Sequence, residues 1–105
     1  MKKLIYVSLT YGVQMYRVKL DLVEEDLWKI PHYVLLKLQR WVTLVESSGI
    51  DTVRKIPGYN DKLLKGRRLG QRSIRLSKGY RCFYREEQAE NNKIIIILEI
   101  NKHEY

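Results

Sequence analysis

The clearest periodic pattern along the chain lies between residues 31 and 48. Apolar side chains recur there at the spacing of one helical face, and they are Val34, Leu35, Leu38, Trp41, Val42 and Val45. Pro31 suits the first turn, where its missing N–H would be unpaired in any case. Gly49 suits a left-handed stop. The pattern therefore predicts a helix over residues 31–48, with Trp41 in the core.

Shorter patterns flank this helix. Residues 15–20 alternate between apolar and polar positions and predict a strand. The acidic stretch 21–26 suits a helix start, because carboxylates are favoured near the positive N-terminal end. Asp51 is predicted to cap a second short helix that runs through Val53 and Ile56 and ends at the following Pro-Gly pair. Residues 1–14 are expected to form an extra strand or a loose N-terminal arm.

Beyond residue 57 the apolar period changes to two. Residues 72–76 alternate, with Ile74 and Leu76 on one face and Ser73 and Arg75 on the other. This alternation is typical of a strand with one face in the core and one face towards solvent.

Turn and strand signals continue towards the C-terminus. Lys78-Gly79 predicts a tight hairpin turn, followed by a returning strand over residues 80–85 that contains a buried, unreactive Cys82. Asn91-Asn92 predicts another turn. Residues 93–100 form a β-branched run, which is typical of a central strand buried on both faces.

The order of these elements predicts an α+β fold. An N-terminal strand and two helices precede three or four further strands, and the helices should pack on one face of a small antiparallel sheet of about four strands. The length of 105 residues corresponds to a single domain over residues 1–105. The other face of the sheet should then carry Ser73, Arg75, Arg81 and the last residues of the chain.

The positive charge of the chain is concentrated in one segment. Nine Lys or Arg residues and no Asp or Glu lie between Lys62 and Arg85, whereas eleven basic and twelve acidic residues occupy the rest of the chain. The net charge of +8 therefore belongs to this basic segment, which indicates an anionic partner.

Several classes of protein are excluded by composition. The longest apolar run, residues 94–98, is too short to span a bilayer as a helix, so no membrane partner is expected. A single cysteine allows neither an intrachain disulfide nor a Cys-based zinc site and fits a cytoplasmic location. A P-loop and a dinucleotide fingerprint are both missing, so no cofactor and no metal are predicted.

The C-terminal half resembles a known family on an ordered set of short motifs. They are Pro57-Gly58-Tyr59-Asn60-Asp61, Leu64-Lys65-Gly66, Gly70-Gln71-Arg72-Ser73-Ile74-Arg75-Leu76, Gly79-Tyr80-Arg81 and Ile100-Asn101-Lys102-His103-Glu104-Tyr105. In this order and spacing they resemble the RelE/HigB-type toxins of bacterial type II toxin–antitoxin modules, within the RelE/ParE superfamily. The resemblance covers residues 15–105. It implies a compact α+β fold, a cognate antitoxin and mRNA cleavage on the ribosome.

Metal-free RNA cleavage needs three kinds of group. A base activates the ribose 2′-OH, cations stabilise the charge that develops on the phosphate, and an acid protonates the leaving oxygen. The resemblance places Arg81 against the phosphate, a role that suits a permanently charged, bidentate guanidinium. Arg75, on the neighbouring strand, is expected to face the same way as a second catalytic arginine.

The remaining candidates divide between proton transfer and RNA binding. His103 is the acid/base candidate, because its ordinary pKa lies near neutrality, and Tyr105 is a proton donor or a stacking ring. Some members of the family place a glutamate just before the leucine-lysine-glycine motif, where only Asp61 lies nearby here, so the identity of the base stays open. The RNA- and phosphate-binding candidates are Lys65, Arg68, Gln71, Arg72, Ser73 and Lys102.

Three functions compete at this point. The leading hypothesis is a ribosome-dependent mRNA endoribonuclease toxin, neutralised by an adjacently encoded, helix-turn-helix antitoxin. The alternatives are a ParE-like toxin that inhibits DNA gyrase and a plain nucleic-acid-binding module. The pair of His103 and Tyr105 favours the nuclease. For Arg81, the competing structural interpretation is a cross-strand salt bridge to Glu99 or Glu86.

Overall fold

The computed structural model describes residues 14–102 of the chain. In chain order the elements are strand β1 (Met15–Lys19), a 3₁₀ helix (Glu24–Lys29), helix α1 (His32–Ser48), helix α2 (Ile50–Val53), a 3₁₀ turn (Pro57–Tyr59), strand β2 (Lys62–Leu63), a second 3₁₀ turn (Gly66–Arg68), and strands β3 (Arg72–Ser77), β4 (Tyr80–Ala89) and β5 (Asn92–Lys102). The predicted arm over residues 1–14 lies almost entirely outside the described residues. So do His103 and Tyr105.

The five strands form one mixed sheet in the order β1-β5-β4-β3-β2. Neighbouring strands are antiparallel, except that β1 runs parallel to β5, with Met15 opposite Asn92 and Lys19 opposite Ile96. The α+β class is confirmed, but the sheet is neither four-stranded nor purely antiparallel. Strand β2 was not predicted, because two residues are too few to show an alternation of apolar and polar positions.

Helix α1 ends at Ser48, as the apolar pattern predicted, and begins at His32, one residue after the predicted start. Pro31 is its N-cap residue, and Gly49, which follows the last turn, has a φ of +87°. A Cβ atom on Gly49 would lie 2.9 Å from the ring of Tyr16, so both the backbone conformation and the available space require glycine. Helix α2 ends at Val53, three residues before the predicted end at Ile56. Asp51 lies in the first turn of α2, not at its N-cap.

The core lies between α1 and one face of the sheet. Trp41 is fully buried, and its ring centroid is 5.3 Å from that of Tyr84 on β4. Burying a large apolar side chain contributes about 1.5–3 kcal/mol. Helix α1 contributes Val34, Leu38, Trp41 and Val45 to the core, and the sheet contributes Ile74, Leu76, Cys82, Tyr84, Ile95 and Ile97.

Strand β5 pairs on both sides, with β1 and β4, yet only one of its faces is buried. Ile95 and Ile97 are fully buried, whereas Ile94 and Ile96 are only partly covered. The prediction of a strand buried on both faces is therefore wrong, because no helix among residues 14–102 packs on the second face. We call the face of the sheet opposite α1 the open face.

A buried carboxylate fastens the segment before β2 to the middle of the sheet. The side chain of Asp61 is 1% exposed and accepts hydrogen bonds from Nε of Arg72 at 2.6 Å and from the hydroxyl of Tyr84 at 2.5 Å. Burial raises the pKa of Tyr84, and the bond to Asp61 raises it further. Burial acts to lower the pKa of Arg72, but the hydrogen bond and the negative charge of Asp61 have the larger combined effect. The net result is a raised pKa for Arg72. The three residues therefore form a charged, hydrogen-bonded cluster under the sheet.

We expect Asp61→Asn to lower the free energy of unfolding by about 3 kcal/mol, because removing one partner of a buried ion pair leaves the other charge uncompensated. Asp51→Asn is the matched control. Asp51 is 66% exposed and pairs with Arg54 at 3.0 Å, so its loss should be below about 1 kcal/mol. Urea unfolding of the three proteins measures both values. Equal losses in the two variants would contradict the structural role of Asp61.

Candidate functional site

Two arginines lie side by side on the open face, next to the turn that joins β3 to β4. Arg75 on β3 is directly opposite Arg81 on β4. Like charges at opposite positions of an antiparallel pair destabilise the sheet. Within residues 14–102, neither arginine forms an ion pair with a carboxylate. An unneutralised pair of this kind is stabilised when an anion binds between the two guanidinium groups.

The position of Arg81 is set by a buried hydroxyl. Nη1 of Arg81 donates a hydrogen bond to Oγ of Ser73 at 3.2 Å, and Ser73 is fully buried. This bond leaves most of the guanidinium N–H donors available to a ligand. The register of β3 shifts between Arg75 and Ser77, so the strand is irregular beside the arginine pair. Bulges of this type re-aim side chains next to functional sites.

The next row of the open face contains an aromatic ring covered by a third arginine. Phe83 lies opposite Ser73 on one side and Glu99 on the other. The guanidinium carbon of Arg68, which belongs to the second 3₁₀ turn, lies 3.9 Å from the centroid of the Phe83 ring. Arg68 also donates to Gln71 at 2.9 Å and to Glu99 at 2.8 Å. A residue of the basic segment thus folds back onto the sheet.

Glu99 is the carboxylate of this row. It accepts hydrogen bonds from Asn101 at 2.5 Å and from Arg68. Both bonds hold the pKa of Glu99 below its ordinary value of 4.5, and the bond from Asn101 has the larger effect. Both competing salt bridges suggested for Arg81 are wrong within the described residues. Glu99 pairs with Arg68, and Glu86 pairs with Arg54 and Lys93.

Five of the predicted site residues lie together. Arg75, Arg81 and Ser73 lie on the open face, and Arg68 and Gln71 are joined to it through the bonds described above. Lys65 is exposed and precedes the second 3₁₀ turn. The sequence therefore located the open-face cluster correctly, although its role stays a prediction.

Three other candidates are not brought to this cluster. Arg72 is opposite Tyr84 and ion-pairs with Asp61 beneath the sheet. Lys102 is opposite Tyr80, so its register places it on the helix-covered side. Asp61 itself is almost fully buried, with both carboxylate oxygens engaged. This burial leaves no approach for a 2′-OH group.

The sequence reasoning did not include Phe83, Glu99 or Asn101 among the site residues, and it considered Glu99 only as a partner of Arg81, although a signal for this row was present. Phe83 is two residues from Arg81, and residues two apart on a strand share a face. Asn101 lies opposite Arg81. The β-branched character of residues 93–100 predicted burial and gave no sign of the polar positions at the end of this strand.

The charge of the basic segment is only partly neutralised. Three of its nine cations, Arg68, Arg72 and Arg85, form ion pairs within residues 14–102. The other six do not, and they are Lys62, Lys65, Arg67, Arg75, Lys78 and Arg81. Over the same residues no helix is long and apolar enough to cross a membrane, and no group of three or more His, Cys, Asp or Glu side chains could hold a metal ion.

Comparison with solved structures identifies the fold. The chain superposes on the YoeB/ParE toxin from Agrobacterium tumefaciens with a TM-score of 0.56 and 16% identity, covering 87% of this chain and 100% of that one. The toxin–antitoxin complex RelBE2 from Mycobacterium tuberculosis matches with a TM-score of 0.56 and 18% identity, covering 87% and 99%. The YoeB–YefM complex from Staphylococcus aureus matches with a TM-score of 0.58 and 15% identity, covering 87% and 98%.

No family model and no curated protein matches the sequence. The structural matches nevertheless show that the fold is shared with RelE/ParE-type toxins at low sequence identity, as the motif resemblance predicted. The match extends over nearly the full length of each of these toxin chains.

The lowered pKa of Glu99 predicts an acid-dependent loss of stability. The ionised carboxylate stabilises the fold through Arg68 and Asn101, so this contribution is full above pH 4.5 and disappears as the pH falls through the lower folded-state pKa. Because Glu99 is 44% exposed, we expect at most about 1 kcal/mol. Urea unfolding of the wild type and Glu99→Gln should differ at pH 7 and converge near pH 3. A difference that is independent of pH would contradict this prediction.

Proposed function

We propose that this protein is the toxin of a type II toxin–antitoxin pair, and that it cleaves mRNA on the ribosome. The observation that carries the proposal is the Arg75–Arg81 pair, which lies on the open face of a toxin fold without a carboxylate partner in residues 14–102. A cross-strand pair of arginines suits a phosphodiester, because each guanidinium can donate two parallel hydrogen bonds to phosphate oxygens.

In the proposed mechanism the two arginines bind the scissile phosphate and stabilise its transition state. The ribose 2′-OH attacks the adjacent phosphorus, the bond to the 5′-oxygen breaks, and the products are a 2′,3′-cyclic phosphate and a 5′-hydroxyl. Negative charge increases on the phosphate oxygens as the bond to the nucleophile forms. Cations fixed in place before the reaction stabilise this charge without reorganising.

Proton transfer is assigned to the C-terminal residues on the strength of the motif resemblance. His103 would accept or donate the proton, because both forms of an imidazole are accessible near neutral pH. Tyr105 would serve as the second group. We do not assign the base to Asp61, since its carboxylate is 1% exposed and bound to Arg72 and Tyr84.

The proposed partners are an antitoxin, the ribosome and mRNA. RelBE2 and YoeB–YefM are toxin–antitoxin complexes, and a protein with the same fold is expected to have an antitoxin of its own. Large apolar side chains on the helical side support a protein partner. Trp28 and Leu36 are 79% and 51% exposed. The ribosome would orient the mRNA in the site. Naked RNA, which is not oriented in this way, is therefore expected to be a poor substrate.

Induced expression in a bacterial host should stop growth, and primer extension should reveal mRNA cuts in phase with codons. Arg81→Ala should lower the cleavage rate by about 10²- to 10³-fold, because it removes a donor to the transition state. Arg85→Ala is the matched control on the same face. Arg85 is already paired with Glu87 at 3.0 Å, and its loss should leave cleavage within about twofold of the wild type, given the small effect of exposed ion pairs.

Other outcomes identify the alternatives. DNA breaks with an SOS response, in the absence of mRNA cuts, would indicate a gyrase inhibitor of the ParE type. Normal growth after verified expression would indicate a plain nucleic-acid-binding module. Full cleavage by both Arg81→Ala and His103→Ala would show that the site is placed wrongly.

An antitoxin encoded next to this gene should restore growth when the two are expressed together. We expect a helix-turn-helix protein with an acidic segment, since carboxylates can neutralise the exposed cations of the basic segment. Co-purification with the tagged toxin checks the interaction. Growth arrest that no neighbouring reading frame relieves would contradict this part of the proposal.

A further inference from the structure

We propose that the ring of Phe83 is a stacking site for one nucleobase of a single-stranded RNA, and that Arg68 is a cover which the base displaces. The inference rests on the proposed function, because it takes RNA phosphate at the Arg75–Arg81 pair as its starting point. It adds a specific contact for the base, which the arginines cannot supply. Phosphate contacts alone fix the position of the backbone and do not recognise a base.

The location of Phe83 is the first argument. It is the single phenylalanine of the chain, and it lies on the open face between Ser73 and Glu99. It is two residues from Arg81 on the same strand, which corresponds to about 7 Å along the sheet. A ribose that links a phosphate at the arginines to its base can span this separation.

The chemistry of the cover is the second argument. Arg68 already lies over the ring at 3.9 Å, so the face of Phe83 accepts a flat, delocalised group in this position. Every nucleobase is a group of this kind, and arginine and nucleobases both stack on aromatic rings. The guanidinium therefore marks the place that a base would take.

The weakness of the cover is the third argument. Arg68 and Glu99 are 33% and 44% exposed, and ion pairs and cation–π contacts at such exposed positions contribute little. Arg68 belongs to a short 3₁₀ turn outside the sheet, so it can leave without disturbing a strand. A phosphate next to the bound base would replace Glu99 as its partner, because phosphate also accepts bidentate hydrogen bonds from arginine.

The test compares two oligomers of equal length and charge. One is a fluorescein-labelled pentamer of 2′-O-methyl RNA, which has no free 2′-OH and cannot be cleaved, and the other is the same backbone without bases. Fluorescence anisotropy at low salt gives the dissociation constant of each for the full chain. We expect the wild type to bind the base-bearing pentamer roughly 5- to 150-fold more tightly, the range typical of stacking one base on an aromatic ring.

Three variants locate the preference. Phe83→Leu should remove it while leaving the affinity for the abasic oligomer unchanged, and Phe83→Tyr should retain it. Tyr33→Leu is the matched control, since Tyr33 is an exposed aromatic residue on α1, on the helical side. It should behave as the wild type does.

A measurement on the wild type guards against a misfolded Phe83→Leu variant. A pentamer that contains 2-aminopurine should lose fluorescence on binding, because stacking quenches this base. Three results would each overturn the stacking site: equal binding of both oligomers, a preference that persists in folded Phe83→Leu, and unquenched 2-aminopurine. None of them would contradict the RNA-binding role of the arginine pair. Binding of neither oligomer would overturn the RNA-binding role of the arginine pair as well.

Discussion

The architecture depends on one constraint, which is that helices cover a single face of the sheet. Ile74, Leu76, Cys82 and Tyr84 alternate with residues of the open face along β3 and β4, and all four are buried beneath α1 around Trp41. The register of these strands cannot slip by one residue, because the slip would expose the core and bury the arginines. The packing that stabilises the protein is therefore the same packing that presents the cations of the open face.

The sheet and the segment before it combine charges that are neutralised with charges that are not. Arg72 and Asp61 compensate each other beneath the sheet, and Arg68 reaches back to Glu99. Arg75 and Arg81 have no such compensation within residues 14–102, and a buried hydroxyl fixes the second of them. A face meant only for solvation would gain stability from a carboxylate at one of these two positions. Within residues 14–102 the fold supplies neither arginine with a carboxylate, and this is the observation on which the proposed phosphate contact rests.

Much of this arrangement was predictable from the spacing of apolar residues, because a period of 3.6 identifies one face of a helix and a period of 2 identifies one face of a strand. The helix over residues 31–48, the hairpin at Lys78-Gly79 and the facing of Ser73 and Arg75 all followed from that translation. The same reasoning missed contacts between distant segments. The parallel pairing of β1 and the burial of Asp61 against Arg72 depend on residues that sequence spacing does not relate. Arg72 looked like a phosphate ligand because local sequence carries no sign of its buried partner.

The parallel contact between β1 and β5 has a consequence for the order of folding. Met15 pairs with Asn92, so a loop that contains nearly the whole domain must close before this edge of the sheet exists. The α1 helix and the β3–β4 and β4–β5 hairpins need only local closure, which is faster and entropically less costly. On a translating ribosome, β1 must therefore wait for the last strand to emerge. The chain completes its sheet only after synthesis has passed the basic segment, and the edge formed by β1 is the part whose assembly is slowest.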